Sequence, residues 1–326
     1  MLNVYAHANG LLVPTGWQEG PTLPPGTVWI DLISPAPQEE KAIEQVLLID
    51  IPVREKLAEI EASSRLYHQG RATFMTATIV TRADNDEPIL EAITFIIVDN
   101  ILVTVRYCEP RAFDVYLQRL QKVTGCPGNG EAVLVGLLEA VVDRLADHLE
   151  RAGVIVAETS KRIFKDETAK TNRYKEFLRK ISEEGDFTSN VRESLVSLSR
   201  LVAFLSASFD SGERQVDDRK PMKAHLKTLQ RDIASLTDHA SYLQDKVTFL
   251  LDATLGMINI EQSAIIKIFS VASVVFLPPT LIASIYGMNF KIMPELDWGY
   301  GYAFSIFLMV LSVAITFLYF RRKGYL

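Results

Sequence analysis

Two stretches near the C-terminus limit what this chain can become. Residues 268–286 read IFSVASVVFLPPTLIASIY, and residues 300–320 read YGYAFSIFLMVLSVAITFLYF. Neither holds a charged side chain, and each is about long enough to cross a hydrocarbon core as a helix. About 13 residues, Gly287 to Gly299, separate them. This is the pattern of a helical hairpin with a short loop on the far side. Lys267 opens the first span and Arg321, Arg322 and Lys323 follow the second. Bases flanking one side predict both termini in the cytoplasm and the loop outside. Trp298, Tyr300 and Tyr302 read as interfacial anchors at the outer end of the second span.

The remainder has the composition of a water-soluble body. The 326 residues carry 34 Lys and Arg against 40 Asp and Glu. From Lys267 onward the balance is net positive, so the preceding 266 residues hold 29 bases against 38 acids. An acidic body lacks the basic footprint that nucleic acid requires. The opening MLNVYAHANG has neither a basic n-region nor an apolar h-region, so no secretory signal is expected. Cys108 and Cys126 have no metal or redox spacing and read as inert thiols.

The N-terminal half mixes strand-like and helical runs. TVWIDLI (27–33), RATFMTATIV (71–80), LEAITFIIVD (90–99) and ILVTVRY (101–107) read as strands, the last two joined at Asn100 by a tight turn. Residues 38–48 read as a helix, and from Glu131 the pattern turns helical over 131–168, 172–209 and from Met222 onward. GCPGNG (125–130) lacks the preceding strand and glycine spacing of a dinucleotide site and reads as a turn. The five histidines form no HxxxH or HExxH pattern, and no catalytic constellation is visible. The fold class is therefore α+β: a cytoplasmic α/β domain with long helices (1–221), a stalk helix (222–266), a first transmembrane helix (267–286), an external loop (287–299), a second transmembrane helix (300–320) and a basic tail (321–326).

The stalk and first span read as one helix, because no proline interrupts residues 222–277. Its first half repeats apolar residues every three or four positions, from Leu226, Leu229 and Ile233 to Val247 and Leu250. That is a packing seam against neighbouring helices. Further on, Ser263, Ser270, Ser273, Thr280 and Ser284 fall on one such line, with Ile266, Leu277 and Gly287 in the other places. Single hydroxyls commonly bond back to their own helix or tie helices together. Five on one line point instead to a helix facing water. Backward extension of the line reaches Asp252, Asp245 and Asp238, an acidic stripe. One hairpin cannot enclose a path, so a water-lined helix implies a closed ring of copies. The loop then brings one Gly287-Met288-Asn289 per copy to the outer mouth. Amide and carbonyl oxygens there suit a cation such as Mg2+ that keeps its water shell. Glu295 and Asp297 against Lys291 would concentrate cations around it.

YGMNF followed by MPEL, between two C-terminal spans and before a basic tail, resembles the CorA family of magnesium transport proteins. WIDL (29–32) and EIEASSR (59–65) resemble the N-terminal domain of that family. The resemblance implies a homopentamer in an inner membrane, with no enzymatic activity and no cofactor. It implies that Gly287, Met288 and Asn289 form the outer selectivity ring, with Asn289 meeting the ion. It implies pore constrictions at Ile266, Phe269, Leu277 and Thr280, an acidic metal-binding ring at Asp252, and a basic collar of Lys267, Arg321, Arg322 and Lys323. The family often has Asn where this chain has Ser263 at the inner mouth. The expected activity is Mg2+ influx driven by the membrane potential and gated by cytoplasmic Mg2+, with Co2+ and Ni2+ as further permeant ions. The alternatives are a zinc-transporting relative, against which the absence of clustered His or Cys speaks, and a membrane-anchored sensor that conducts nothing.

Overall fold

A computed structural model describes residues 1–8, 10–17, 20, 22–54, 62–81, 88–122, 127–165, 171–211, 220–289, 293–294 and 298–324. Cys126, Lys291, Glu295 and Asp297 lie outside them. The chain divides into two compact units, Met1–Glu167 with Phe177–Leu251, and Thr168–Glu176 with Asp252–Leu326.

The first unit is built on a seven-stranded sheet. Its strands are β1 (Leu2–Ala8), β2 (Leu11–Thr15), β3 (Thr27–Ile33), β4 (Leu66–Gln69), β5 (Ala72–Thr81), β6 (Ile89–Val98) and β7 (Ile101–Arg106), in the order β2-β1-β3-β7-β6-β5-β4. Only the β3–β7 pair is parallel. The four strands expected from the sequence are present within a residue or two. β1, β2 and β4 carry no long apolar run, and pairing at the flanks of the sheet defines them. Asp99, at φ 53°, opens the β6–β7 turn at Asn100. Where β5 outruns the short β4, its edge is covered from a helix. The Thr78 and Val80 N–H groups donate to Ser197 Oγ and Ser194 Oγ, both at 2.9 Å, so that edge offers no free ladder to another chain.

Helices occupy both faces. On one, α1 (Pro37–Leu47) buries Ile43 and Leu47 over Ile30, Leu32, Phe74, Val103 and Val105. Between α1 and β4 lies a single turn, α2 (Ala62–Arg65). On the other face lie α3 (Arg111–Lys122), α4 (Gly130–Lys165), α5 (Thr171–Ser211) and the N-terminal part of α6 (Lys220–Tyr286). The apolar seam read from the sequence is the buried one: Leu226, Leu229, Ile233, Ala240, Leu243, Val247 and Leu250 are each at most 5% exposed. The contacts fix the direction of each helix. Gly153 of α4 faces Leu243 of α6, and Phe164 stacks with Phe249 at 6.2 Å. Gly185 of α5 faces Val247, and Arg192 Nε donates to Ser241 Oγ at 3.1 Å. Residue numbers rise together in α4 and α6 and oppositely in α5, so α4 and α6 run parallel with α5 antiparallel to both.

The WIDL run owes its character to a buried polar network. Asp31 and Arg106, from the parallel pair β3 and β7, are 2% and 4% exposed. Arg106 donates from Nε to Asp31 Oδ1 at 3.0 Å and from Nη2 to Oδ2 at 2.8 Å, and from Nη1 to the Cys108 carbonyl at 2.8 Å. Thr104 Oγ1 donates to Asp31 Oδ1 at 2.7 Å and accepts from Trp29 Nε1 at 2.9 Å. Burial alone would lower the Arg106 pKa, but the Asp31 carboxylate outweighs it and raises it. Burial pushes the Cys108 thiol up to about 12, so it carries no thiolate near neutral pH.

The GCPGNG stretch does more than turn. Asn129 Oδ1 accepts the Ala132 N–H at 2.8 Å as the N-cap of α4. The Gly130 N–H donates to the Asn100 carbonyl at 2.6 Å, and a Cβ on Gly130 would run into the Leu102 backbone nitrogen. Only glycine lets the start of α4 approach the β6–β7 turn this closely.

Two outcomes follow for urea unfolding of the detergent-solubilised protein. Asp31→Asn leaves the buried guanidinium without its counter-charge and should cost about 3–5 kcal/mol. Gly130→Ala should cost about 1–3 kcal/mol or more by forcing α4 off the turn. A loss below roughly 0.5 kcal/mol for either would contradict these assignments.

Candidate functional site

The second unit holds the apolar C-terminal part of α6 and α7 (Gly301–Arg322). The most apolar windows of α6 and α7 have mean hydropathies of 2.0 and 2.3, with 0% and 6% of those windows buried. A core helix of a soluble protein would be mostly covered, and a signal sequence would lie near the N-terminus. These helices fit neither description, and their length and exposure suit hydrocarbon contact. Lys267 Nζ donates to the Gly324 carbonyl at 3.3 Å. The first residue of one span thus meets the residues after the other, and the two form a hairpin. At its far end the Trp298 ring lies 6.4 Å from Tyr300 and 5.6 Å from Phe304, with Trp298 and Tyr300 exposed.

The faces of α6 are unequally covered in this unit. Val271 is buried, and Val275, Pro278 and Ile282 are half-buried. Ser305 and Gly301 of α7 are buried as well. Val271, Val275 and Ile282 belong to the apolar line opposite the hydroxyls. Ile268 and Ile285, on that same line, stay exposed.

Every pore-lining residue expected from the sequence is on uncovered surface: Ser263, Ile266, Phe269, Ser270, Ser273, Leu277, Thr280 and Ser284. Phe269 and Leu277 are 69% and 71% exposed. Two of the hydroxyls bond back to their own helix. Ser273 Oγ donates to the Phe269 carbonyl at 2.9 Å and Thr280 Oγ1 to the Phe276 carbonyl at 2.7 Å. Their protons are thus engaged, and the oxygens turn lone pairs outward as acceptors.

Pro278 and Pro279 lie inside α6 without ending it. A proline has no N–H to give the carbonyl four residues earlier. The Val274 and Val275 carbonyls therefore lack their usual helical donors. These backbone carbonyls add acceptors to the side-chain hydroxyls of the span.

Toward the N-terminus of α6, Asp238, Asp245 and Asp252 are all exposed. Asp252 falls in the second unit and the other two in the first. Toward its C-terminus the helix stops at Tyr286. The Gly287 N–H still donates to the Ala283 carbonyl at 2.9 Å, and Met288 N–H to the Ile285 carbonyl at 3.3 Å. Gly287, Met288 and Asn289 are exposed. Gly287 is not in the left-handed region that glycine commonly adopts at a helix end. A Cβ there would lie 3.1 Å from the Ala283 carbonyl oxygen, so a larger residue would need that carbonyl to give by a few tenths of an ångström. The collar residues Lys267, Arg321, Arg322 and Lys323 are exposed at the opposite end of the hairpin.

The arrangement offers oxygen acceptors and apolar side chains in alternation along one uncovered face. It ends in an exposed amide at one end and lies beside cationic side chains at the other. Such a face can pass a solvated cation and can close by excluding water.

A family model described as CorA-like Mg2+ transporter protein matches residues 25–322. The magnesium transport protein CorA of Pectobacterium atrosepticum is 37% identical over 302 residues, covering 92% of each chain. That of Escherichia coli strain K12 is 35% identical over 328 aligned positions, covering 100% of each. Among solved structures, the complete CorA magnesium transporter of Methanocaldococcus jannaschii superposes with a TM-score of 0.78 at 18% identity, covering 100% of this chain and 99% of that one. The ZntB cytoplasmic domain of Vibrio parahaemolyticus superposes with a TM-score of 0.60 at 12% identity, covering 79% and 97%. At these identities the structural likenesses speak for the fold. The family model and the full-length relatives decide the rest: this chain belongs to the CorA family of Mg2+ transporters, a family of transporters and not of enzymes.

Proposed function

We propose that this chain is a channel-type transporter that admits Mg2+ across the inner membrane as a closed homo-oligomeric ring, with both termini in the cytoplasm. The observation that carries the reading is the uncovered hydroxyl line of α6, which runs through an unburied apolar span to Asn289. Relatives named magnesium transport protein at 35–37% identity over nearly the whole chain support it. A single hairpin leaves this face open to lipid, so copies of the chain must cover it, and the family resemblance makes the number five.

In this reading, Gly287, Met288 and Asn289 form the outer filter. The Asn289 amide oxygens meet the ion through its retained water shell. Ser263, Ser270, Ser273, Thr280 and Ser284 give the hydrated ion acceptors in turn. Ile266, Phe269 and Leu277 form apolar rings that close the path by dewetting. Lys267, Arg321, Arg322 and Lys323 collar the inner membrane surface. The membrane potential supplies about 2.3 kcal/mol per charge per 100 mV, and roughly twice that for a divalent cation.

Cytoplasmic Mg2+ held between Asp252 carboxylates of neighbouring copies, with Asp238 and Asp245 further along the helix, keeps the ring closed. When Mg2+ leaves, like charges repel and the ring opens. Co2+ and Ni2+, of the same charge and similar size, are further permeant ions.

Three experiments test this. In proteoliposomes held negative inside, the protein should admit Mg2+. Zn2+ influx without Mg2+ would move it to the zinc-transporting relatives, and no flux of either with internal Mg2+ removed would favour a sensor. Single cysteines at Ser270 and Ser284 should react with a water-soluble cationic thiol reagent at least about tenfold faster than one at Val275; equal rates would remove the water-lined face. Asp252→Ala should weaken inhibition by internal Mg2+ by about tenfold, the effect of roughly 1.4 kcal/mol of coupling; unchanged inhibition would withdraw Asp252 from gating.

A further inference from the structure

A groove in the first unit is left unexplained by the transport reading. It runs between α4 and α6 and has a volume of about 370 Å3, the size of a small-molecule site. Val142, Leu229 and Leu236 make part of its apolar floor, and Glu139, Asp143 and Asp232 are among its polar lining. Val142 and Leu229 are themselves buried, so the floor is held by the core beneath it. The three carboxylates are exposed, and none has an ion-pair partner among the described residues. Lys227 and Arg231, close by on α6, are exposed as well and pair with none of them. These two cations of the chain thus leave the charge of the groove unbalanced.

Two features decide what such a groove takes. The first is the spread of its charge. Glu139 and Asp143 stand one turn apart on α4, about 6 Å along the helix axis, and Asp232 lies on the opposite bank, on α6. Among the described residues, no three Asp, Glu, His or Cys side chains gather closely enough to hold one metal ion. A single divalent cation concentrates its charge at one point, so this lining serves it poorly. The second feature is the floor. A hydrated ion gains nothing from apolar surface, whereas a methylene chain gains by leaving water for it. Several positive charges strung along an aliphatic chain match both features. Amino groups joined by roughly four methylene groups span the distance between the two carboxylates of α4, and a further amino group reaches Asp232 across the groove.

We infer that this groove is a binding site for a linear aliphatic polyamine, its ammonium groups held by Glu139, Asp143 and Asp232 and its methylene chain laid over Val142, Leu229 and Leu236. Each ammonium gives a carboxylate a charge-assisted hydrogen bond. The bound amine bridges α4 and α6 and stabilises their pairing by mass action. The contacts are exposed to solvent, so binding weakens as salt is added. The inference does not rest on the transport reading. It concerns a second class of cation, held on the body of the first unit, and it stands or falls without reference to the filter or the ring.

The test is calorimetric titration of the full-length protein in neutral detergent with spermidine, at low salt and with Mg2+ removed. Wild type should bind about one spermidine per chain in a saturable way. Asp143→Asn with Asp232→Asn should weaken that binding at least about tenfold. Glu150→Gln with Glu158→Gln, which removes two exposed acids of α4 that do not line the groove, should leave it within about threefold. Circular dichroism of each variant reports whether the body still folds. The wild-type protein alone supplies a second measurement. 1,4-Diaminobutane should bind more tightly than ethylenediamine, whose two charges come with a shorter apolar stem, and ethylammonium should bind at least about tenfold more weakly than spermidine. No saturable binding to wild type overturns the proposal. So does equal weakening by both pairs of substitutions, which would mean attraction to the acidic body at large. Displacement of spermidine by Mg2+ at equal or lower concentration would make the groove a metal site and overturn it as well. None of these results bears on Mg2+ influx, which is measured separately.

Discussion

A helix that crosses hydrocarbon satisfies most of its own backbone, but the acceptor oxygens it leaves over need partners that lipid does not supply. Most of the molecule can be understood from that constraint. α6 presents five hydroxyls and two proline-freed carbonyls within or beside an apolar span. Within one chain only part of it is covered, along the side of Val271, Val275 and Ile282. Lipid offers no hydrogen bonds to the remainder, so in the proposed reading the remainder faces water, and water inside a membrane needs walls on every side. One chain supplies two helices. The polar line is therefore tied to self-assembly, and assembly is tied in turn to whatever holds the cytoplasmic bodies in register.

The first unit meets that need through rigidity. The Asp31–Arg106 pair, with Thr104, Trp29 and the Cys108 carbonyl, fixes the central parallel strands. A half-broken buried pair is costly, so the sheet tolerates little slippage there. Gly130 sets α4 hard against the β6–β7 turn, and α4 and α5 clasp α6 along its buried seam. The helix that carries the polar line is thus held over its first thirty or so residues by tertiary packing and not by its own propensity, as a helix about 100 Å long requires.

The parts legible in the sequence are those whose physics is local. The two spans show as unbroken apolar runs, the packing seam as a three-four repeat, and the hydroxyl line as residue types at helical spacing. β5, β6 and β7 show as dense β-branched segments. The parts hidden in the sequence depend on distant partners. β1 and β2 exist because they pair beside β3, and β4 because it pairs with β5. α3 buries Phe113 and Tyr116 against a sheet its own sequence does not mention. Gly287 shows the same limit at a single residue. It stands at a helix end without a positive φ, and a Cβ there would come within 3.1 Å of the Ala283 carbonyl oxygen. Gly130 read as a turn and proved to be a packing contact. The resemblance carried by YGMNF supplied the family, and the residue chemistry supplied a reason for each position.

The most direct measurement compares Mg2+ influx through wild type and Asn289→Ala in proteoliposomes held negative inside. Wild-type flux that the substitution lowers by at least about a hundredfold, with particle mass unchanged, is the expected result for a filter built on that amide, since it equals roughly 2.7 kcal/mol at one site. Flux equal in the two proteins would contradict the assignment of the loop as the filter, and with it the path drawn along α6.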